Sequence, residues 1–193
     1  MLKIVKVIDE LHQPTIILLT AAITVLASLS GCVTQPQEKL QVNPEIDLNP
    51  LGGFSGKSEE IFIVLNGSIP EVKERLNSIV IKKALQPSAF SVNDALNFVV
   101  FRGVFSTSGY GIAIDRVEKQ GNEFAVFANY TDPGKGMVVA QVITQPTVII
   151  PIGKLGKGNY KASLKVTKEV EDKEGRKVIE TEKELKNIEF SVE

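Results

Sequence analysis

Cys32 is the only thiol in the 193-residue sequence, and His12 is the only imidazole. Both stand within the first 32 residues, so the rest of the chain has no Cys or His with which to build a catalytic or metal centre. That excludes His-dependent triads, Cys–His nucleophiles, His/Cys zinc sites and haem ligation there. Acid–base chemistry would fall to carboxylates. Asp115, Glu118, Glu123 and Asp132 are the candidates for a glycosidase-like pair. They also fall at strand ends and turns, where solvated acids are ordinary. The chain has no Trp and three Tyr, so it offers few platforms for stacking a sugar ring. No EF-hand spacing of acids appears. The net charge of −1 gives no electrostatic footprint for nucleic acid. These residue types argue against an enzyme, and neither a metal nor a cofactor is expected.

The setting of Cys32 points to different chemistry. An uncharged, mostly apolar run from Ile16 to Ser30 leads into Leu29-Ser30-Gly31-Cys32. As a helix the run would span about 22 Å, short of the roughly 30 Å hydrocarbon core of a bilayer. It therefore suits the apolar region of a secretory signal better than a membrane-spanning helix. Lys3 and Lys6 precede it, partly offset by Asp9 and Glu10. An aliphatic residue, two small residues and Cys form a lipobox. The small residues let extended backbone enter a peptidase cleft, and the thiol takes a thioether-linked diacylglycerol. Residues 1–31 are thus expected to be a signal peptide, cut between Gly31 and Cys32. Lipidated Cys32 would hold the mature chain on a cell membrane or outer membrane, facing outside the cytoplasm. The alternatives are an uncleaved anchor, or a cleaved signal with a stray thiol.

Residues 32–57 hold Gln35-Pro36-Gln37, Asn43-Pro44, Asn49-Pro50 and Gly52-Gly53 without apolar periodicity, which predicts a flexible tether. Order is expected from Ser58, giving one domain over 58–193. Ile61 to Leu65 suits a buried strand. Ser68 and Glu71 have capping-box spacing, and Val72, Leu76, Ile79 and Val80 recur at helical intervals, so a helix is expected from about Ile69 to Lys83. From Asn97 the period changes to two. Strands are expected at Phe98–Phe101, Tyr110–Ile114, Phe124–Tyr130, Met137–Thr144, Thr147–Ile152, Tyr160–Val166 and Leu185–Val192, with turns at Gln120-Gly121-Asn122 and Asp132–Gly136. The fold class read from this is mainly β: an immunoglobulin-like antiparallel β-sandwich with one short N-terminal helix. Lacking the usual disulfide and core Trp, its core must rest on Phe, Ile and Val. The charged stretch Lys165 to Lys186 reads as solvent-facing strands around an Asp172–Gly175 tip. Such charges protect an edge or form a docking surface.

Phe98 to Ile152 resembles the C-terminal domain of the protease-complex subunit PrcB family. The resemblance lies in three features in order. Ser106-Thr107-Ser108-Gly109-Tyr110-Gly111-Ile112 has the small-residue turn, Gly-Tyr and following strand. Phe124 to Tyr130 leads into the Pro/Gly loop Thr131-Asp132-Pro133-Gly134-Lys135-Gly136. Val138 to Ile150 matches the stretch around a Thr-Pro pair, although Gln145 and Thr147 stand around Pro146 where aromatic residues are more usual. The resemblance implies an exported, non-enzymatic domain that binds a protein, a subtilisin-like surface protease being the family's namesake partner. The residues compatible with contact are Ser106, Thr107, Ser108, Gly109, Tyr110, Pro133, Gly134, Gly136 and Pro146. Glycine lets another backbone approach, and Tyr is favoured in interfaces. Each also has a plain structural reading, as turn residues or as a corner tyrosine.

Two other functions stay open at this level. Ser106 to Tyr110 is also similar to the Thr-Gly-Tyr loop of chagasin-type inhibitors of cysteine proteases, and Gly158 to Leu164 to a late strand of theirs; their Arg-Pro-aromatic loop has no counterpart. A structural envelope lipoprotein without a dedicated ligand is the other.

Overall fold

The computed structural model describes residues 36–47, 49–51, 56, 59–134, 136–171 and 177–193. The signal segment with His12, the Gly31–Cys32 cleavage and lipidation site, the Ser58 boundary and the Asp172–Gly175 tip lie outside the described residues. In chain order the strands are β1 (Glu38–Leu40), β2 (Glu45–Asp47), β3 (Ile61–Asn66), β4 (Ala89–Phe90), β5 (Leu96–Phe101), β6 (Gly111–Gln120), β7 (Glu123–Thr131), β8 (Thr147–Gly153), β9 (Gly158–Glu171) and β10 (Lys177–Val192). One helix, α1 (Ile69–Lys82), lies between β3 and β4. A six-stranded sheet has the order β1-β6-β7-β9-β10-β4, and a four-stranded sheet the order β2-β8-β5-β3.

The run Leu96-Asn97-Phe98-Val99-Val100-Phe101 is apolar at nearly every position because β5 is covered on both faces. Leu96, Phe98 and Val100 point between the sheets, where they meet Val117, Phe124, Val126, Leu164 and Phe190 of the larger sheet. Phe98 sits edge-on to Phe124 and Phe190 at ring separations of 5.2 and 6.4 Å. Val99 and Phe101 point the other way, onto α1, together with Ile63, Leu65 and Ile149. The helix answers with Val72, Leu76, Ile79 and Val80, the buried stripe that their spacing predicts. Burying each such side chain contributes about 1.5–3 kcal/mol. Asn97, the one polar residue in β5, donates from Nδ2 to the Gly67 carbonyl (3.0 Å) and so ties the strand to the turn that opens α1. The helix begins at a capping box, with the Ser68 N–H donating to Glu71 Oε2 (2.7 Å). It ends at Lys83 in the left-handed conformation, φ 55°. The layers are therefore large sheet, small sheet, helix.

Three findings differ from the sequence expectations. First, two pairings are parallel, β7 with β9 and β4 with β10, so the larger sheet is mixed rather than wholly antiparallel. After β7 the chain crosses to the small sheet for β8 and returns for β9, which restores its direction. Second, order begins before Ser58. In the stretch expected to be a tether, β1 pairs with β6 and β2 with β8. Lys73 of α1 holds β2 through Glu45 (2.6 Å) and Asp47 (3.0 Å). The Leu51 N–H donates to the buried Gln145 Oε1 (3.0 Å). Third, Met137–Thr144 is not a strand. It runs as an exposed loop whose one β-bridge is Phe105 to Thr144.

Candidate interaction site

Arg102 organises the end of the sandwich where β5, β7 and β9 finish and β6 and β8 begin. It directly follows Phe101, and its N–H donates to the Pro146 carbonyl (2.9 Å). Its side chain crosses from the small sheet to the large one. Nη1 donates to the carbonyls of Gly111 (2.7 Å) and Thr131 (2.9 Å), which face each other across the β6–β7 pair. Nη2 donates to Asp132 Oδ1 (2.7 Å). The guanidinium lies 4.1 Å from the centre of the Tyr130 ring, a cation–π distance, and the side chain is only 7% exposed. One planar group thus closes the β6–β7 opening and joins the sheets.

The surrounding charges are matched. Lys168 Nζ reaches the second oxygen of Asp132 at 2.6 Å. Burial pushes the Asp132 carboxyl up, but hydrogen bonds from Arg102 and Lys168 outweigh this and hold it below its ordinary value. The Tyr130 hydroxyl donates to Glu60 Oε1 (3.0 Å), and burial, followed by the Glu60 charge, pushes its ionisation far above the ordinary range.

Over this base lie the loops picked out by sequence. Tyr110 is half-buried and stacks on Phe105, with ring centres 3.9 Å apart. Gly109 has φ +97°, and a Cβ there would come within 2.9 Å of the Pro133 side chain, so only glycine lets the two loops close. The Ser108 N–H donates to the Ala140 carbonyl (3.0 Å), and the Ala140 N–H donates back to Ser108 Oγ (3.1 Å). The Thr107 carbonyl accepts from Thr144 Oγ1 (2.8 Å). Gly134 is tied to Met137, whose N–H donates to its carbonyl (3.1 Å). Ser106 and Gly136 are exposed. The structure therefore brings Ser106–Tyr110 together with Pro133, Gly134 and Gly136. Pro146 is different: it is buried, with Gln145 and Thr147 beside it, and it offers its carbonyl to Arg102 rather than its ring to solvent.

Sequence reasoning missed Arg102 and the apolar exposure of the following loop. A signal for Arg102 was present, since it is the sole basic residue between Lys83 and Arg116 and directly follows a fully apolar strand end. In the loop, Met137 is 62% and Val138 100% exposed. The carboxylates considered for catalysis are dispersed. Asp115 and Glu118 both pair with Arg116, at 2.6 and 2.7 Å. Glu123 is exposed at the far end of the β6–β7 hairpin, opposite Asp132. The two chagasin-like pieces also separate, because Gly158 starts β9 at the end opposite Ser106–Tyr110.

Residues 97–152 match the family model described as PrcB C-terminal. The PrcB-like segment runs from β5 through β8 and contains Arg102, Tyr110, Tyr130, Asp132 and both loops; Glu60 and Lys168, which complete the polar base, come from outside it. No curated protein and no solved structure matches the chain.

Proposed function

We propose that this protein is a lipid-anchored, non-enzymatic binding module at the outer side of a bacterial- or archaeal-type membrane, and that its PrcB-like end engages a protein partner. The partner class that the match favours is an extracytoplasmic, subtilisin-like protease complex, of which this chain would be a subunit or stabiliser. The observation that carries the reading is the match at residues 97–152, together with the convergence of its loops on one end of the sandwich. Membrane attachment would run through diacylglycerol on Cys32, which the lipobox motif supports.

The path of the N-terminal segment agrees with that arrangement. β1 runs antiparallel to β6 with Glu38 opposite Lys119, so the chain enters the domain at the Gln120 end. Cys32 precedes Gln37 by five residues, a contour of at most about 18 Å. The PrcB-like loops lie at the Gly111 end, roughly 30 Å away along the ten residues of β6. The first described strand thus enters the domain at the end opposite those loops.

Affinity isolation of the tagged full chain from solubilised membranes tests the reading. The expected result is one co-purifying protein in constant ratio, retained by the wild type and lost on Tyr110→Asp with Ser106→Glu. Recovery of the chain alone under mild detergent would overturn it.

A further inference from the structure

We propose that Met137–Ile143 is a strand-forming segment with one edge left unpaired, and that this edge is completed by an extended, uncharged strand of the protein bound at this end. The inference rests on the partner-binding reading and specifies how the contact is made. Five of the eight residues in Met137-Val138-Val139-Ala140-Gln141-Val142-Ile143-Thr144 are β-branched, a composition suited to a pleated strand. The segment nevertheless forms no ladder. Among the described residues, the N–H groups of Val138, Val139, Gln141, Val142 and Ile143 donate to no protein acceptor.

It is half-prepared for pairing. Phe105 exchanges both backbone hydrogen bonds with Thr144 (2.9 and 3.0 Å), and Ser108 bonds Ala140. Residues 105–108 and 140–144 therefore already run antiparallel, with the 105–108 side occupied and the other side open to solvent. Val138, Met137, Val142 and Ile143 are 100%, 62%, 49% and 37% exposed. An open edge of this kind invites association, and proteins usually block it with charge, proline, bulges or shortness. Most other edges here follow that rule: β1, β2 and β4 are three, three and two residues long, and β10 carries charged residues and two register shifts; β3, the six-residue uncharged edge of the small sheet, is the exception. The Met137–Ile143 edge has no such protection. No charged residue occurs from Gly136 to Gly153 or from Gly103 to Ile114. A charged partner strand would find no counter-ion on these segments, whereas an uncharged one would match them.

The test uses the full chain in phosphatidylcholine nanodiscs, with acetyl-Thr-Val-Thr-Val-Thr-Val-amide as probe. Amide hydrogen exchange is followed through residues 137–144. The expected result is that the peptide slows the amides of Val139, Gln141 and Ile143, which face away from residues 105–108, at least tenfold, and leaves those of Val138 and Val142 unchanged. Gln141→Pro and Ile143→Pro, which remove N–H groups from the edge facing away from residues 105–108, should each abolish this while leaving the thermal midpoint unchanged, and Val138→Thr should retain it. The proposal is overturned if millimolar peptide gives no protection, or if both proline variants are protected like the wild type. It is also overturned if protection appears without peptide, either rising with protein concentration (a second copy as occupant) or on phosphatidylglycerol-containing nanodiscs alone (a lipid surface as occupant). If the isolation described above recovers a protein equally with wild type and Gln141→Pro, and residues 138–143 stay unprotected in that complex, strand pairing fails while partner binding stands.

Discussion

Replacing Arg102 by Met keeps much of the side-chain volume and removes the guanidinium. The structure sets the expected cost. Three hydrogen bonds are lost, to the Gly111 and Thr131 carbonyls and to Asp132. Removing one member of a buried ion pair costs about 3–5 kcal/mol because the remaining charge is left uncompensated. Asp132 keeps Lys168 and is a quarter exposed, which places the loss at the lower end, about 3 kcal/mol. With a urea slope of about 2 kcal/mol per molar, the unfolding midpoint should fall by about 1.5 M. The assay is urea denaturation of the chain lacking residues 1–31, followed by far-ultraviolet circular dichroism. Arg102→Lys keeps one charge but cannot span two carbonyls and a carboxylate, so it should lose less than Arg102→Met and remain below wild type. A midpoint for Arg102→Met within 0.2 M of wild type, roughly 0.4 kcal/mol on the same slope, would refute the claim that this side chain holds the two sheets together.

Asp132 gives a pH prediction. Its carboxyl is held below the ordinary value of 3.8, so folding favours the ionised form. That contribution is complete above the ordinary value and is lost as the pH falls below it toward the lowered folded-state value. Asp132→Asn should therefore be less stable than wild type at pH 7, with the gap narrowing between about pH 4 and pH 2; an equal gap at pH 7 and pH 2.5 would contradict this. Gly109→Ala adds a Cβ 2.9 Å from the Pro133 side chain at φ +97°. It should lower stability by about 1–3 kcal/mol, read as a lower thermal midpoint. Cys32→Ser should move the protein from the membrane pellet to the soluble fraction and remove the lipid mass from the N-terminal peptide, while leaving the β-rich circular dichroism spectrum unchanged.

Elements that declare themselves locally were legible in the sequence. Ser68, Glu71 and the Val72/Leu76/Ile79/Val80 spacing give α1 to within a residue at its end, since capping and burial are set within one turn. Alternation in Phe124–Tyr130 and the Gln120-Gly121-Asn122 turn give the β6–β7 hairpin. Met137–Thr144 carries a strand pattern but lacks a neighbour to pair with, so its propensity is not realised. β1 and β2 were hidden because three residues show no period; their order comes from Val117–Lys119, Thr147–Ile149 and Lys73, which lie far along the chain. The parallel β7–β9 pairing follows from the excursion through β8, a long-range matter. At the site, the Ser106–Gly109 and Pro133–Gly136 turns were legible as turns. Arg102 was not, because its role arises only when Gly111, Thr131 and Asp132 converge on it from the other sheet.

A photo-activatable crosslinker, placed at either end of the sandwich in intact membranes, reports which end meets a partner. With the probe at Thr107 an adduct with a single protein is expected, and with the probe at Gln120 none with that protein. Adducts with that same protein from both positions, or with lipid alone from Thr107, would contradict partner binding at the Thr107 end.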